Sequence, residues 1–472
     1  MGADGSARAH DRGGPGGLAR RPPEDALSTA PELAEAYNRL LAEDGSAVEQ
    51  AAWLEQAFRD AGLTFDGVPM RTFLRPHLLG QAEWGRLRDD GRRLLELAAR
   101  VARDAFDGDV ARLCAFLGTP EAEARWVAID PGPPDVVLSR LDAFLEGTRP
   151  LFIEVNSDAP AGFGYGDRMA EVFARLPAFR RFAAAHRVRY RPSGPALVDA
   201  FVAAWRARGG TAFPVVAIVD WADVKTRADQ EILRELFEAR GIPCRLADPR
   251  DAVLAGGRLT FDGAAVDVVY RRGVLSELVE REDDVRVFLD AYRSGAALFV
   301  NSFRCRLSED KAFFALLTDE AFADLVTADE RRFLADVVPW TRRVQERRTW
   351  KDGAEVDLVP FILGHRESLV LKPAHGYGGQ SVLVGDETAA DAWEAAAMAA
   401  LAEPWVVQER VTIPEEPFPV VVDGALRFDV LKVNANPFYA AGAEVGAVTR
   451  ASRSAVINVS AGGGSVPTFV VG

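Results

Sequence analysis

Cysteine is scarce in this chain of 472 residues, and the few that occur are isolated. Cys114, Cys244 and Cys305 lie far apart in the sequence and have no spacing typical of metal ligands. The sequence therefore predicts no disulfide framework and favours a reduced, cytoplasmic setting. No sequence motif of a nucleophilic cysteine or serine is found either.

Long apolar runs and excess positive charge are missing too. No apolar run approaches the roughly 18 residues that a membrane helix requires. The formal net charge is −14, whereas non-specific binding to nucleic acid or to an anionic membrane needs a basic surface. We therefore expect neither nucleic acid nor a membrane as a partner.

The first residues, 1–27, lack the apolar segment of a secretory signal and are rich in Gly, Arg and Pro. Such a composition cannot bury enough surface to offset chain entropy, so a disordered tail is predicted. The whole sequence has 48% apolar and 27% charged residues, a balance that allows a large globular core.

Hydrophobic periodicity divides the rest of the chain into four predicted regions. Residues 28–130 have the spacing of amphipathic helices, with a Pro- and Gly-punctuated connection at 66–80. Residues 131–206 begin with two strands that form a hairpin and continue as helices. The pattern at 207–305 is strand–helix–strand, which predicts a parallel α/β layer with a right-handed crossover. Residues 306–472 begin with helices and continue mainly as strands.

Lysine is rare, with five residues against 51 arginines, so the position of each lysine is informative. Lys372 ends an apolar strand in LVLKPAHGYGGQSVLVG, and Gly376, Gly378 and Gly379 follow before the next strand. Glycines let backbone N–H groups approach a phosphate, and a lysine adds a positive charge for the same anion. Because the loop joins two strands, it is neither a Walker A loop nor a dinucleotide-binding turn, each of which opens a helix. Two interpretations remain: a phosphate flap of the ATP-grasp type, or a hairpin with a glycine bulge and a surface lysine.

Other candidate residues also have two interpretations each. Lys311 begins an apolar helix and is by itself more typical of a solvated first-turn lysine. Gln408 and Glu409 interrupt the apolar strand in PWVVQERV. They fit either a strand that holds a nucleotide base or an edge strand with its polar residues outward. His375 lies beside the glycine loop, and a lone histidine is more often structural.

A candidate metal site comes from two neighbouring strands. The segment LFIEVNSDAPAG (151–162) begins as an apolar strand, and then Glu154 and Asn156 alternate with an apolar residue, so both point to one face. Asp142 lies on the preceding strand, and Arg140 shares its face. Mg²⁺ prefers oxygen ligands from one or two carboxylates together with substrate phosphates. The pattern thus predicts a magnesium site beside a phosphate-binding arginine; a polar sheet face is the alternative.

A rival metal site is FDVLKVNANPF, with Asp429, Asn434 and Asn436. Two neutral amides and one distant carboxylate neutralise a divalent cation poorly, so this set ranks second. Two loops are candidates for substrate contacts, although plain surface loops would look the same: SDAPAGFGYGDR (157–168) and VSAGGGSVP (459–467).

Taken together, these motifs resemble the circularly permuted ATP-grasp family that includes glutathionylspermidine synthase. RLD is followed in order by FIEVNSDAPAG, an α/β layer, EDKAFFALL, LKPAHGYGG, WVVQERV and a closing segment, GAVTRASRSAVINVSAGGGSVPTFVV. IEVNSD precedes LKPAHGYGG by over 200 residues, whereas an unpermuted chain has the opposite order. The resemblance covers about residues 70–472. No amidase domain is recognisable, nor are residues that would bind glutathione or a polyamine.

The resemblance implies a fold and a set of roles. The fold class is α/β (α+β): a circularly permuted ATP-grasp fold with an inserted Rossmann-like pre-ATP-grasp layer and an N-terminal helical region. ATP and Mg²⁺ are the implied cofactors. Lys311 and Lys372 would bind ATP phosphates with the glycine loop, and Gln408 and Glu409 would lie near the adenine. The implied metal ligands are Asp142, Glu154 and Asn156, and the implied catalytic residues are Arg140 and Arg450.

The leading functional hypothesis is an ATP-dependent carboxylate–amine ligase that forms an amide through an acyl phosphate. Its substrates would be a small-molecule or peptide carboxylate and an amine. Such chemistry asks the protein mainly to align substrates and to neutralise charge, which suits a site of Lys, Arg, Asp and Glu. A small-molecule kinase and a nucleotide- or peptide-binding protein without turnover are the alternatives.

Overall fold

The computed structural model describes residues 29–376, 381–457 and 463–472. Its N-terminal region is mainly helical, because apolar residues recur at helical spacing and local caps begin the helices. The Thr29 backbone N–H, for instance, donates to the Glu32 carboxylate at 2.8 Å. The elements of this region are α1 (Ala30–Asp44), α2 (Ala47–Asp60), β1 (Thr64–Phe65), β2 (Val68–Pro69), β3 (His77–Gly80), α3 (Gln81–Asp104), α4 (Val110–Leu117) and α5 (Glu121–Val127).

The predicted hairpin follows, and its two strands pair antiparallel. The hairpin is succeeded by three helices and one short strand. The elements are β4 (Leu138–Glu146), β5 (Arg149–Asn156), α6 (Phe163–Phe173), α7 (Pro177–Ala185), β6 (Val188–Arg189) and α8 (Gly194–Ala207).

The α/β layer contains four parallel strands in the order β13–β12–β7–β8, beside a small antiparallel sheet of β9, β10 and β11. The two-residue turn at Asp262–Gly263 joins β10 to β11. The elements are β7 (Val216–Val219), α9 (Arg227–Ala239), β8 (Cys244–Ala247), β9 (Val253–Ala255), β10 (Arg258–Phe261), β11 (Ala264–Ala265), β12 (Val268–Arg271), α10 (Leu275–Glu280), α11 (Arg286–Ser294) and β13 (Leu298–Val300).

A second sheet, of four strands, has the order β14–β19–β17–β18 with antiparallel neighbours. It has a core of its own, in which Leu369 and Leu371 of the sheet pack with Ile362 and Trp393 of the helices. The elements are α12 (Arg306–Glu309), α13 (Lys311–Thr318), α14 (Ala328–Val337), β14 (Thr341–Arg343), β15 (Arg348–Lys351), β16 (Ala354–Asp357), α15 (Leu358–Gly364), β17 (Leu369–Pro373), β18 (Leu383–Val384), α16 (Ala390–Ala399) and β19 (Trp405–Glu409).

The largest sheet contains one early strand of the chain, β3, together with its last strands. Its main order is β3–β23–β22–β21–β4–β5, while β20 pairs with β21 and β6 pairs with β23. The predicted connection at 66–80 is therefore wrong in part, because His77–Gly80 forms a fully buried strand parallel to β23. The C-terminal strands are β20 (Glu415–Val422), β21 (Ala425–Ala440), β22 (Ala443–Ser452) and β23 (Gly464–Val471).

Apolar packing joins the large sheet to the α/β layer, since Val433 and Phe469 share one core with Val216 and Val268. Asn301, after β13, adds a buried polar link. Its side-chain oxygen accepts the N–H groups of Val137 (2.6 Å) and Leu138 (2.9 Å), and its amide group donates to the carbonyls of Leu138 (2.7 Å) and Ser157 (2.6 Å). None of the described helices combines the length and the apolar character needed to span a bilayer.

Candidate active site

The β4–β5 hairpin brings four predicted residues to one place. Its register sets Asp142 opposite Glu154 and Arg140 opposite Asn156. The Asn156 amide group donates to the Asp142 carboxylate at 3.2 Å, and the Arg140 Nε donates to the same carboxylate at 3.1 Å. The alternation read from the sequence, together with a register shift between Asp142 and Ala143, thus places a carboxylate pair, an amide and an arginine together.

Asp142 is buried and bonded to two arginines, Arg140 and Arg450. Burial raises the pKa of this carboxyl, but the positive charges of Arg450 and Arg140 outweigh burial and hold the pKa below its ordinary value. Asp142 is therefore an anion at neutral pH. Arg450 reaches it from β22, in the last part of the chain.

The rival metal set does not converge. Asn434 and Asn436 accept hydrogen bonds from Arg450 at 2.9 and 2.6 Å, so their oxygens hold an arginine. Asp429 lies five residues before Asn434 on the same strand, which turns it to the opposite face, where it pairs with Arg453. Instead of a second metal site, the two asparagines and Asp142 orient Arg450.

Lys311 is not the solvated lysine that its local sequence favours. It begins α13, its side chain is 14% exposed, and its Nζ lies 3.0 Å from the Glu154 carboxylate. The same Nζ donates to the carbonyl of Gly376 at 2.7 Å. Burial lowers the pKa of Lys311, but the negative charge of Glu154 and its hydrogen bond raise that pKa by a larger amount. The net pKa of Lys311 therefore lies above its ordinary value.

Lys372 is buried at 9% exposure, so the interpretation as a surface lysine is wrong. It lies on β17 and donates to the Gln408 side-chain oxygen at 2.6 Å. Burial and the nearby positive charge of Lys311 lower the pKa of Lys372 to about 8, although Glu154 raises it in part. This lysine has no carboxylate partner at hydrogen-bond distance among the described residues, which suits it to an anion from outside.

The strand β19 is internal, with β14 on one side and β17 on the other, so the edge-strand interpretation is wrong. Gln408 turns inward to Lys372 and also donates to the Thr341 hydroxyl at 3.0 Å. Glu409 pairs with Lys351 at 3.0 Å. The backbone N–H groups of residues 409 and 410 donate to the carbonyls of Trp340 and Ser368, each at 2.8 Å.

All described members of the predicted site line one cavity of about 860 Å³. The lining comes from β4, β5 and β22 of the largest sheet and from β17 and β19 of the sheet β14–β19–β17–β18. The cavity therefore lies between these two sheets. The predicted members in its wall are Arg140, Asp142, Glu154, Asn156, Lys311, Lys372, Gly376, Gln408, Glu409 and Arg450. Gly378 and Gly379 lie outside the described residues, as does part of the loop at 459–467.

The loop after β5 also faces the cavity through residues 158–162, while α6 occupies the second half of the predicted loop. Asp158, however, is held by the protein itself. Its carboxylate lies 2.5 Å from the Arg271 guanidinium and accepts the Leu275 N–H at 3.0 Å. It therefore fixes the loop to the α/β layer.

Sequence reasoning missed Glu309, two residues before Lys311. Its carboxylate accepts the backbone N–H groups of Ser157 (2.7 Å) and Asp158 and lies 3.0 Å from Arg306. Burial and the neighbouring Asp158 raise the pKa of Glu309 to about 7. The available signal was the acidic pair Glu309 and Asp310, which precedes Lys311. The backbone groups that Glu309 binds, however, lie about 150 residues earlier in the chain.

The far wall of the cavity belongs to the α/β layer. Trp221 donates its indole N–H to Glu277 at 2.8 Å, and the Arg281 guanidinium stacks 4.4 Å from the Trp221 ring centre. All three residues line the cavity. The volume thus continues beyond the charged cluster toward a mixed aromatic and polar surface.

Several known proteins and one solved structure are similar to this chain over most of its length. No family model matches the chain. Uncharacterised proteins of Mycobacterium leprae and Mycobacterium tuberculosis are each 25% identical to it, over 474 and 476 residues, covering 92% of this chain and 79% or 80% of theirs. A solved structure of a glutathione synthetase-like effector from Globodera pallida, in its apo form, covers 94% of this chain and 100% of its own, with a TM-score of 0.60 and 13% identity.

The fold is ATP-grasp-like. An ATP-grasp ligase solved with a minimal precursor is also similar, at 15% identity over 49% of this chain and 88% of its own, but its TM-score of 0.26 is too low to support an argument. The predicted mixed helix-and-sheet, ATP-grasp-like fold class is therefore confirmed. The circularly permuted order and the roles of individual residues stay predictions.

Proposed function

We propose that this protein is an ATP-dependent carboxylate–amine ligase of circularly permuted ATP-grasp type. The observation that supports this most strongly is one cavity whose wall brings together six predicted site residues from widely separated parts of the chain: Arg140, Asp142, Glu154, Lys311, Lys372 and Arg450. Phosphoryl transfer is promoted mainly by positioning and by neutralising negative charge, and these side chains are suited to both.

The donor set fits Mg²⁺ by type. Asp142 and Glu154 supply carboxylate oxygens at facing positions of one hairpin. Arg140 and Arg450 contact Asp142, and Lys311 contacts Glu154, so a bound metal would share these carboxylates with the three cations. Asn156 uses its amide group to donate to Asp142, which leaves its side-chain oxygen as a third ligand atom. Within residues 29–376, 381–457 and 463–472 no group of three or more His, Cys, Asp or Glu is arranged to hold a metal ion, so a mixed carboxylate–amide set is the best candidate. When bound, Mg²⁺ neutralises phosphate oxygens during transfer.

The reaction has two steps. A carboxylate oxygen of the substrate attacks the γ-phosphorus, the bond from that phosphorus to the β–γ bridging oxygen breaks, and ADP leaves. The amine nitrogen then attacks the acyl carbon, the carbon–oxygen bond to phosphate breaks, and the amine loses a proton. Lys311, Lys372 and Arg450 would stabilise the charge that develops on the phosphoryl oxygens, and Arg140 would assist from β4.

The nucleotide base would occupy the end of the cavity lined by Val370, Val384, Glu409 and Val411. The substrates would then approach from the wall formed by Trp221 and the α/β layer. The reacting carboxylate would then lie between the base pocket and that wall, next to the lysine and arginine cluster.

The test uses hydroxylamine, which traps an acyl phosphate as a hydroxamate without knowledge of the natural amine. Full-length protein is incubated with ATP, Mg²⁺, hydroxylamine and a panel of amino acids, peptides and small carboxylic acids. We expect ADP, phosphate and a hydroxamate with at least one acid. AMP with pyrophosphate would contradict an acyl phosphate, and a stable phosphorylated product would indicate a kinase.

The matched variants are Glu154→Ala and Glu146→Ala on the same hairpin. Glu146 pairs with Arg149 at the exposed end of β4 and is absent from the cavity wall. Glu154→Ala should abolish hydroxamate formation while Glu146→Ala retains it. Equal activity in both variants would contradict the proposed metal site.

A further inference from the structure

His375 makes two hydrogen bonds that require a proton on each ring nitrogen. Its Nδ1 lies 2.7 Å from the Asp310 carboxylate, and its Nε2 lies 2.6 Å from the carbonyl oxygen of Gly118. A carboxylate and a carbonyl oxygen accept hydrogen bonds but do not donate them. Both contacts are therefore favourable when the ring is a positively charged imidazolium.

The charged groups around the ring are consistent with this state. Arg306, on α12, lies 3.4 Å from Nδ1 and opposes the positive charge. Burial raises the pKa of Glu123, on α5, and the positive charges of Arg306 and His375 offset this only in part. Burial lowers the pKa of His375, but the bond to Asp310 and its negative charge outweigh burial and raise the pKa above its ordinary value.

The contacts of His375 lie where the glycine loop leaves β17. The Ala374 N–H donates to the Pro404 carbonyl at 2.7 Å. On the other side, the Lys311 backbone N–H lies 3.4 Å from the Ala374 carbonyl, and its Nζ donates to Gly376. Asp310 caps the helix that Lys311 begins, by accepting the Ala312 N–H at 2.8 Å. The His375–Asp310 pair thus connects the first residue of the loop to the helix that carries the phosphate-binding lysine.

We propose that His375 is a positioning residue that, as an imidazolium, fixes the start of the glycine loop against Asp310 and Gly118 and so holds Gly376 and Lys311 in place for nucleotide phosphates. Deprotonation of the ring removes one of its two hydrogen bonds and its charge. The loop start is then held less firmly, and nucleotide affinity falls as the pH rises. The effect on affinity rests on the proposed nucleotide site, whereas the protonation state and the fixing of residues 374–376 do not.

The first two measurements use the protein without nucleotide. Nitrogen NMR of the labelled histidine rings should show both His375 nitrogens protonated at about pH 6.5, the ordinary pKa of a free histidine. Hydrogen exchange at residues 374–376 should be about tenfold faster in His375→Gln, as expected for the loss of one charge-assisted hydrogen bond. His365→Gln, at a histidine outside the cavity wall, should leave that exchange unchanged.

The third measurement is the affinity for ATP with Mg²⁺ against pH. Affinity should fall about tenfold as His375 deprotonates in the wild type, and this part of the profile should vanish in His375→Gln. Lys372→Arg removes the separate loss of affinity that titration of Lys372 near pH 8 causes. Asp310→Asn keeps a helix cap but removes the ion pair, so the His375 ring should deprotonate at lower pH; this variant serves if His375→Gln does not fold.

A neutral His375 ring at about pH 6.5, or unchanged exchange at 374–376 in both variants, would overturn the proposal. A wild-type protein that binds no ATP at any pH would refute the proposed function. The NMR and exchange results would still decide whether His375 fixes the loop.

Discussion

Replacing Lys372 by methionine should make the protein more stable while removing nucleotide binding. Lys372 is buried, and its pKa is lowered from 10.5 to about 8. At 1.36 kcal/mol for each pKa unit, burial of the charged lysine costs about 3 kcal/mol at neutral pH. Loss of the hydrogen bond to Gln408 offsets about 1 kcal/mol of this. Lys372→Met should therefore raise the free energy of unfolding by about 2 kcal/mol at pH 7.

The sign of the pH dependence follows from the same shift. Between about pH 8 and 10.5 the unfolded chain holds a proton on Lys372 that the folded chain has lost, so folding stability rises with pH in that range. ATP affinity should change in the opposite direction. Phosphate favours the charged lysine, so affinity should fall about tenfold per pH unit above about pH 8.

Urea unfolding at several pH values and calorimetric titration with ATP and Mg²⁺ measure the two effects. Lys372→Arg is the matched control, since a guanidinium stays charged throughout this range. It should retain binding at pH 7 and lose the dependence near pH 8. A methionine variant that is less stable than wild type at pH 7, or that still binds ATP, would refute the reasoning.

Three further predictions concern other sites. Glu154→Ala should abolish ADP formation with an unchanged circular dichroism spectrum, because this side chain is 26% exposed on the cavity wall and does not pack in the core. Asn301→Ala removes four buried hydrogen bonds and should lower the free energy of unfolding by about 3 kcal/mol in urea; a loss within error of zero would contradict that role. The pKa of Glu416 is lowered to about 2, since Arg75 and His77 outweigh its burial. Its contribution to stability should therefore be lost as pH falls from about 4.5 toward 2, and Glu416→Gln should flatten acid unfolding over that range.

Local sequence was sufficient where chemistry depends on neighbours along the chain. The alternation of Glu154 and Asn156 fixed their common face, because side chains on a strand alternate with period two. The short turn before Arg149 set the hairpin pairing from Glu146 to Ala143, but a register shift between Asp142 and Ala143, which the sequence did not predict, brings Asp142 opposite Glu154. The strand–loop–strand arrangement around Gly376 followed from the glycines and the apolar runs beside them.

Local sequence failed where a residue's role depends on distant partners. Lys311 has the sequence context of a solvated helix start, yet Glu154 and the loop carbonyl surround it in the folded chain. The strand at His77–Gly80 is only four residues long and pairs with the last strand of the chain, so no local pattern announces it. Asn434 and Asn436 resembled metal ligands because the sequence does not reveal that Arg450 lies between them.

The sequence alone determined most of the strands and helices, the shared face of Glu154 and Asn156, and the ATP-grasp-like class, because these depend on periodicity and motif order. Only the tertiary structure decided the charge environment of the site. Arg450 contacts Asp142 across 308 residues of sequence, and the lowered pKa of Lys372 comes from burial between sheets. Coulomb interactions and desolvation depend on distance in space, which a linear sequence specifies only after the chain has folded.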